Sequence, residues 1–522
     1  MQQRSTMRQL LLLSLLWALI HATHYFSRSS AETLPTTARK RRNNTQVVLK
    51  KLHLRVLTFA LNGPHEKLIK AISTRRATRL AAFYNLGCIC GGLGVIIALG
   101  LLVWNCSQTL LPLLHSTRPV GLVKRGLELV EEAATQNGIQ PLIPGLTVPL
   151  SHLPAILAAV FFSQIVHELG HAVSAALDAV PILSAGASFT VLIPAAFVTF
   201  PTAALDALKP LSRARIIAAG PFHNLVFWGI LLLVDRLGIG TTLTRVLYQD
   251  VSHIGRVVVG IDADSDLHRY LPVGALITQL DDTLLGGAED HWTSYLTSPP
   301  MPLALGWCVE RASFLASPRT CCDPTAPPSE LSCFVAEDRG CLEAVAVLAN
   351  QTTLRCTTSS DCSEAATCVR PDASAQILRL TVRFNEQVEQ VILWSGPRVE
   401  VLEQLKMGTF LPRTRLTPLG LWTAVQTLWM YLKTATLSLY LFNLLPLPYL
   451  DGTQFVNALL DVAFESGPQT EFEEYDVGAL EEGVSRRGRI WNRWKVRVGR
   501  GITVTTTGLF VLSAVLALLN TR

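Results

Sequence analysis

The run His167-Glu168-Leu169-Gly170-His171 contains two histidines and a glutamate whose spacing suits a metal site. On an α-helix, positions i and i+4 lie one above the other, so both imidazoles can face one ion. Glu168 lies between them and can reach the water molecule that a zinc ion activates. The run therefore predicts a zinc-dependent hydrolase in which His167 and His171 bind the metal and Glu168 is the general base.

The sequence on both sides of this run is apolar. Residues 157–166 and 172–177 have a composition that is compatible with lipid. Ionisable side chains are costly inside a membrane, so those found there are functional by default. A metal site is therefore favoured over a packing role for the two histidines, and the flanks exclude a soluble zinc protease.

A catalytic zinc ion takes three protein ligands and keeps a fourth position open for water. Asp451 is the predicted third ligand, because a carboxylate at the end of an apolar segment is costly unless it is paired or metal-bound. Asn443 and Pro446 interrupt the preceding helix, and we expect their amide or backbone groups to bind a substrate peptide. Three rival carboxylates lie near membrane segments but next to predicted polar loops: Asp178, Asp206 and Asp235.

The composition indicates a polytopic α-helical membrane protein. Of 522 residues, 49% are hydrophobic and 16% are charged, and the mean hydropathy is +0.34. Soluble domains average about 25% charged residues, so much of the apolar surface of this chain must lie in lipid. A disordered chain and an ordinary cytosolic enzyme are excluded. The net charge of +6 is modest, and we expect no nucleic acid partner.

Apolar and polar segments alternate along the chain and predict its domains. The first apolar run, at 10–26, favours an uncleaved anchor over a signal peptide, because no clean small-residue cleavage site follows it. Glycines in the first long apolar segment predict either close helix packing or a broken, re-entrant course. The domains are an N-terminal apolar anchor and basic segment at 1–80, a glycine-rich membrane segment at 81–106, a catalytic membrane core with a re-entrant loop at 147–234, a soluble insert at 235–420, a membrane segment at 421–452, a charged loop at 453–501 and a last transmembrane helix at 502–522.

Eight of the eleven cysteines lie in the polar stretch 308–368. An even number in such a stretch predicts disulfides and an oxidising compartment, although sequence cannot choose among the possible pairings. A zinc knuckle is the alternative, but the stretch contains no histidine and no Cys-x-x-Cys pair. Asn350 begins a glycosylation sequon in the same stretch. The cysteines are Cys308, Cys321, Cys322, Cys333, Cys341, Cys356, Cys362 and Cys368.

Charge bias and the cysteines together predict the topology. If the cysteine-rich insert is lumenal, the segment that ends at Asp451 crosses to the cytosol. The basic stretch 486–500 then lies inside, in agreement with the positive-inside rule. We therefore expect the active site within the membrane, towards its cytosolic side, whereas the side on which residues 1–80 lie stays open.

Several of these motifs resemble those of the intramembrane site-2 metalloproteases. The run at 167–171 and Asn-x-x-Pro-x-x-x-x-Asp-Gly at 443–452 are similar to the two family signatures. Residues 219–224 resemble the family's Gly-x-x-x-Asn element. The cysteine spacing and Thr74–Gly87 are similar to the eukaryotic members, which act on membrane-bound transcription factors. The charged loop at 463–500 is expanded and departs from the pattern.

The resemblance implies one Zn²⁺ per chain, bound by His167, His171 and Asp451. It also implies cleavage within transmembrane helices of membrane-tethered transcription factors, after a first protease has cut their lumenal part. The implied location is a multi-pass protein of Golgi or ER membranes, with sterol and ER-stress regulators as substrates. The insert is then expected to refuse substrates that have not been trimmed.

The resemblance and the chemistry together also indicate substrate contacts. A peptide bond in a transmembrane helix is protected by its own hydrogen bonds, so the substrate must unwind. We expect the short apolar stretch 186–200, beginning at Gly186, to form an intramembrane loop or strand whose edge clamps the unwound chain. Asn224 is expected either to contact the substrate at the developing oxyanion or to pack.

Part of the insert resembles a PDZ domain. Residues 257–261 are similar to its first strand, 271–277 to its glycine turn and central strand, and His291 and Trp292 to the start of its helix. Such domains bind extended peptides by adding a strand at a sheet edge. An unrelated small β domain is the alternative, because the cysteine-rich stretch interrupts the pattern.

Two functions of other classes remain as alternatives. A catalytically inactive protein of this kind would bind and escort transmembrane clients, and it would lack stoichiometric zinc. A transporter with a metal site at the membrane midplane is the second, but such proteins usually contain paired half-repeats. We find no internal repeat in the sequence.

Overall fold

The structure is a computed structural model, and its chain divides into two compact units. The first comprises Met1–Val234 with Gln426–Arg522, and the second comprises Asp235–Val425. The residues described are 14–15, 17–23, 44–72, 74–115, 142, 144, 147–262, 265–287, 289–299, 303–323, 331–350, 352–385, 388–414, 417–465 and 486–520.

The helices differ greatly in length between the two units. They are α1 Asn62–Ala71, α2 Thr74–His115, α3 Leu153–Leu177, α4 Thr202–Asp206, α5 Pro210–Arg236, α6 Ile239–Leu247, α7 His291–Thr297, α8 Arg311–Ala316, α9 Ala344–Leu348, α10 Arg398–Gln404, α11 Leu421–Leu444, α12 Asp451–Glu465 and α13 Arg486–Asn520.

Most strands belong to the second unit. They are β1 Thr45–Lys50, β2 His53–Thr58, β3 Ser184–Thr190, β4 Ile193–Thr199, β5 Tyr248–Asp250, β6 Arg256–Ile261, β7 Leu276–Leu280, β8 Thr283–Leu284, β9 Gly306–Glu310, β10 Ser332–Val335, β11 Arg339–Leu342, β12 Arg355–Cys356, β13 Ala366–Pro371, β14 Ile377–Asn385, β15 Val388–Ser395, β16 Leu405–Gly408 and β17 Phe410–Pro412.

Four helices of the described chain are long and apolar enough to cross a membrane, which accords with the membrane protein predicted from composition. They span Arg76–Leu110, Leu150–Leu177, Pro210–Arg236 and Trp494–Leu516. The helix α11 is not one of the four, because polar side chains such as Gln426 and Lys433 lower its hydropathy. A membrane crossing at 421–452 therefore stays a prediction.

The glycine-rich segment forms one continuous helix, so the expectation of a broken or re-entrant course is wrong. Thr74–His115 is helical throughout, and its glycines serve close packing, which was the other expectation. A Cβ atom at Gly94 would lie 2.4 Å from Leu444 Cδ1 and 2.5 Å from Tyr440 Oη. The helix α2 therefore packs closely against the side chains of Leu444 and Tyr440 on α11, and a larger residue at 94 would have to displace them.

The last helix begins earlier than predicted. The charged loop expected at 453–501 is wrong at both described ends, because α12 extends to Glu465 and α13 starts at Arg486. Arginine and lysine are strong helix formers, and no proline interrupts residues 486–520. The basic stretch therefore continues directly into the apolar helix. Residues 466–485 lie outside the described part of the chain.

A four-stranded antiparallel sheet belongs to the first unit, in the order β1-β2-β3-β4. The stretch 186–200 thus forms a hairpin, rather than a loop, with β3 inside the sheet and β4 at its end. Strands β1 and β2 were not predicted within the basic N-terminal segment. The alternation in His53–Thr58 was a usable signal, and Lys51, with φ of 42°, forms the turn before it.

The second unit contains three further sheets. A six-stranded sheet has the order β15-β14-β7-β6-β16, with β8 paired to β7, a five-stranded one has the order β11-β10-β13-β9-β12, and β17 pairs with β5. The core of the six-stranded sheet contains Val258, Ile277 and Leu380, which are fully buried. A separate core around Trp307 and Phe334 lies against the five-stranded sheet.

All eight cysteines of the insert form disulfides, as predicted. Their sulfur atoms are therefore not available as thiolates, and the zinc-knuckle alternative is wrong. Asn350 of the sequon is exposed, and its glycosylation stays a prediction. The pairs, which sequence could not choose, are Cys308–Cys362, Cys321–Cys341, Cys322–Cys333 and Cys356–Cys368.

Candidate metal centre

The two histidines of the first motif lie one turn apart on α3. His167 is 6% exposed, and its ring centroid lies 4.7 Å from that of His171. The two Nε2 atoms are 3.1 Å apart. The i, i+4 spacing therefore brings two imidazole nitrogens to one point, as the sequence predicted for a helix.

Asp451 reaches the same point from the first residue of α12. Its Oδ2 lies 2.9 Å from His167 Nε2 and 3.3 Å from His171 Nε2. The turn before it contains Tyr449, whose φ is 69°, and Pro446, which is buried. The interruption between α11 and α12 thus ends with the carboxylate against both rings.

These three atoms fit a zinc ion. Ligand atoms at the corners of a tetrahedron with bonds of about 2.0–2.1 Å lie about 3.3 Å apart. The separations of 2.9, 3.1 and 3.3 Å are close to that value. Two imidazoles and one carboxylate are also a donor set that zinc accepts, and one that leaves a fourth position open.

The second nitrogen of each ring has a partner on α5 or α11. His171 Nδ1 lies 2.8 Å from the carbonyl oxygen of Ile216. His167 Nδ1 lies 3.3 Å from Asn224 Nδ2 and 3.5 Å from Asn443 Nδ2. The Nε2 atoms are therefore the ones that face the possible ion, and both predicted asparagines lie beside a ring that faces it.

The helix α5 approaches the two rings at Gly220. A Cβ atom there would lie 2.3 Å from His171 Nε2 and 2.7 Å from His167 Nε2, so any side chain would displace a ring. Sequence reasoning assigned no role to Gly220 or to Ile216. The glycine of the Gly-x-x-x-Asn element was the only signal, and it did not reveal which side chains meet it.

Glu168 is held by β4, the end strand of the four-stranded sheet. Its Oε2 accepts the backbone N–H of Val198 at 2.9 Å, and Gln164 Oε1, one turn earlier on α3, accepts that of Ala196 at 2.9 Å. In an antiparallel ladder, every second residue of an end strand points its N–H away from the neighbouring strand, and the bonds from Ala196 and Val198 to α3 show that they are two such residues. Two outward donors of β4 are therefore bonded to α3, a contact that sequence reasoning missed.

Glu168 also lines two cavities. One, of about 550 Å³, is mostly apolar and lies among α1, α3, β2, β3 and β4. The other, of about 390 Å³, includes His171, Asp451, Asp206 and Arg213. The candidate base is thus reached both from an apolar space and from a polar one.

The remaining predicted residues do not join the cluster. Gly186 lies on the interior strand β3, where a Cβ atom would be 2.1 Å from the carbonyl oxygen of Val56. It lines the apolar cavity with Glu168. Among the rival carboxylates, Asp178 pairs with Arg215 at 2.9 Å, which indicates a structural role.

Comparison with known proteins supports a relationship over the region that contains this centre. Residues 155–479 match the family described as Peptidase family M50. A protein of Arabidopsis thaliana named membrane-bound transcription factor site-2 protease homolog is 30% identical over 138 residues. That match covers 26% of each chain, so this chain spans about a quarter of the relative's length. Strands β1 and β2 and helices α1 and α2 precede the residues matched to the family.

Proposed function

This chain belongs to peptidase family M50, and from that premise we propose that it is a zinc-dependent endopeptidase that cleaves within transmembrane helices. The observation that carries the proposal is the convergence of His167 Nε2, His171 Nε2 and Asp451 Oδ2 next to Glu168. Because α3 is also one of the four helices that suit a membrane, the reaction would take place within or near lipid.

The proposed metal is one Zn²⁺ held by His167, His171 and Asp451. When bound, it would supply a Lewis acid for the scissile carbonyl and a water molecule with a pKa of about 7. Glu168 would take the proton from that water and deliver it to the leaving amine. The N–H of Val198 holds one oxygen of the carboxylate, which orients the other for this proton transfer.

The substrate must present an extended segment, because the hydrogen bonds of an intact helix protect its peptide bonds. We propose that the hairpin of β3 and β4 aligns this segment, with Asn443 and Pro446 as further contacts. The outward N–H groups of Ala196 and Val198 are bonded to side chains of α3. The substrate would therefore either replace Gln164 as the acceptor of the Ala196 N–H or bond to outward carbonyl groups of β4.

The proposed substrates are membrane-tethered transcription factors that a first protease has already cut. The name of the Arabidopsis relative supports this class. We propose Golgi or ER membranes, with the second unit lumenal, because disulfides form in oxidising compartments. Deletion of residues 240–410 should then allow cleavage of an untrimmed substrate. Continued resistance of that substrate would contradict a filtering role for the insert.

Within the insert, we propose a PDZ-like fold for the six-stranded sheet. Strand β6, the turn at Gly274 with φ of 96°, strand β7 and helix α7 follow one another in the order of the resemblance. Such a fold would bind an extended peptide at a sheet edge. Glycosylation at Asn350, which is exposed, belongs to the same lumenal proposal.

Cleavage of a transmembrane peptide in detergent by purified wild type and Glu168→Gln tests the activity. Loss of the general base should slow cleavage roughly 10²–10⁴-fold, with products that mass spectrometry places inside the apolar segment. Glu66→Gln is the matched control, because Glu66 is an exposed partner of Lys70 and should leave the rate unchanged. Equal rates for wild type and Glu168→Gln would contradict the assignment. Zinc binding without cleavage by either protein would contradict cleavage of this peptide, whereas a wild type without stoichiometric zinc would favour an escort function.

A further inference from the structure

The environment of His167 Nδ1 is unusual for a metal-binding imidazole. When Nε2 binds a metal, the neutral ring carries its proton on Nδ1, and that N–H needs an acceptor. Within the described chain, its two hydrogen-bond contacts are with the amide nitrogens of Asn224, at 3.3 Å, and of Asn443, at 3.5 Å. As placed, both would face the ring with donors rather than with an acceptor.

Asn224 is fully buried on α5, with no exposed surface. Its Oδ1 is a buried acceptor without a hydrogen-bond partner among the described residues. The two ends of an asparagine amide are similar in size, so half a turn about the Cβ–Cγ bond exchanges Oδ1 and Nδ2 within the same space. Rotating the amide by half a turn gives Oδ1 a partner and gives His167 Nδ1–H an acceptor.

Residues on α5 face the metal-binding histidines of α3 at the same spacing of four residues. Ile216, Gly220 and Asn224 follow one another at intervals of four residues on one face of α5, as His167 and His171 do on α3. The carbonyl of Ile216 meets His171 Nδ1, and Gly220 leaves room for both Nε2 atoms. Asn224 occupies the place at His167 that the Ile216 carbonyl occupies at His171.

On the proposed zinc function, we infer that Asn224 is a positioning residue for the metal centre. Its Oδ1 accepts the hydrogen bond from His167 Nδ1–H and fixes the tautomer that leaves the Nε2 lone pair free for zinc. This role replaces the substrate contact expected for Asn224. Asn443 is partly exposed and lies farther from the ring, so it keeps its predicted role towards substrate.

Zinc affinity of the purified full-length protein, measured by competition with a chelator, tests this inference. Asn224→Ala removes the acceptor and should weaken zinc binding roughly 10- to 100-fold, as loss of an outer hydrogen-bond partner of a ligand does. Asn224→Asp keeps an acceptor and should bind zinc within a few-fold of wild type. Asn443→Ala is the matched control and should leave zinc affinity unchanged.

Cleavage kinetics at saturating zinc separate positioning from substrate binding. The inference predicts that Asn224→Ala keeps the wild-type KM, whereas Asn443→Ala raises it. Unchanged zinc affinity with a raised KM in Asn224→Ala would overturn the inference and restore the substrate contact. If Asn224→Ala is not monodisperse, Asn224→Leu and Asn224→Asp, which are both close in size to asparagine, decide the matter. Equal zinc affinity of that pair would also overturn it.

Failure of this inference is distinguishable from failure of the proposed function. Wild type without stoichiometric zinc would remove the metal centre itself. Wild type with zinc, and an Asn224→Ala variant that binds zinc equally well, would remove only the role of Asn224.

Discussion

Both units of the molecule contain clusters whose spacing could hold a metal ion, but only one cluster has the necessary chemistry. The ligand atoms of three groups lie within 4.8 Å of one another: His167, His171 and Asp451 in the first unit, and Cys308, Cys356 and Cys362 as well as Cys321, Cys322 and Cys341 in the second. The sulfur atoms are all consumed in disulfides, whereas the nitrogens and the carboxylate keep their lone pairs. Proximity of ligand atoms therefore indicates a metal site only where their covalent state permits coordination.

The two units also differ in what positions their side chains. The second unit has two apolar cores, and its four covalent cross-links lie in the part that contains the five-stranded sheet. The first holds its candidate centre by close helix contacts at glycine and by hydrogen bonds to the second nitrogen of each ring, such as that from His171 to Ile216. Changes of one or two atoms should therefore disturb the first unit strongly, whereas the metal centre should be insensitive to the disulfides.

The largest effect is expected from removing the third ligand. Asp451→Ala should lose zinc and cleavage, with a drop in zinc affinity beyond the roughly 100-fold change typical of outer hydrogen-bond partners. Asp206→Ala is the control, because Asp206 lines the same cavity without touching the rings. Zinc content by atomic emission measures both. Stoichiometric zinc in Asp451→Ala would show that the ligand set is wrong.

A smaller but still local effect is expected at Gly220. In Gly220→Ala, the new Cβ atom must push an imidazole away, because it would lie 2.3 Å from His171 Nε2. Overpacking of this kind costs about 1–3 kcal/mol, which should weaken zinc binding about tenfold or more. Gly229→Ala, on the same helix and with open space around its Cβ position, should bind zinc like wild type. Equal affinities would mean that α5 does not constrain the rings.

Reduction of the disulfides should affect the second unit and leave the metal centre of the first unit unchanged. A disulfide typically stabilises a small domain by about 2–4 kcal/mol, so reductant should raise hydrogen exchange in the five-stranded sheet, on which every disulfide has at least one cysteine. Zinc stoichiometry should stay unchanged, because cysteine takes no part in the centre. Release of zinc on mild reduction would contradict the claim that the disulfide cysteines take no part in the metal centre.

The smallest effect on the metal centre is expected from breaking a buried ion pair in the second unit. Asp281 is 2% exposed and binds Arg398 at 3.1 Å and the hydroxyl of Tyr295 at 2.6 Å. Burial raises the pKa of Asp281, and the bonds from Tyr295 and from the Arg379 backbone, with the charge of Arg398, oppose the shift. Asp281→Ala leaves Arg398 buried without its partner and should cost about 3–5 kcal/mol.

The neighbouring carboxylate provides the control for that variant. Asp282 is about a quarter exposed in its pair with Arg355, so Asp282→Ala should cost about 1 kcal/mol or less. Hydrogen exchange of β7 and β14 measures both variants. Equal protection in the two would mean that burial does not set the strength of these pairs, and neither variant should change zinc content.

The candidate ligands could be predicted from sequence because their signal is local. The spacing of His167 and His171 follows from helix geometry alone, and Asp451 stood out as a carboxylate at the end of an apolar segment. Similarly, the even number of cysteines in one polar stretch predicted disulfides. In each case the residue type and its immediate neighbours carried the information.

The partners of those residues could not be predicted in the same way. The contributions of Ile216, Gly220 and Val198 are backbone atoms or free space. Such contributions cannot be recognised from the residue type. The disulfide pairing depends on strand order, because Cys308 and Cys368 lie opposite each other on β9 and β13 yet bond to other cysteines. Long-range contacts of this kind are fixed by the fold rather than by neighbouring sequence.

The central claim is that one zinc ion binds to nitrogen and oxygen ligands of the first unit, and X-ray absorption at the zinc edge tests it most directly. The purified, oxidised protein should contain one zinc per chain, with scattering from imidazole and carboxylate ligands at about 2.0–2.1 Å. Sulfur scattering at about 2.3 Å would place the metal among the cysteines instead. That result, or zinc well below one per chain, would contradict the centre formed by His167, His171 and Asp451.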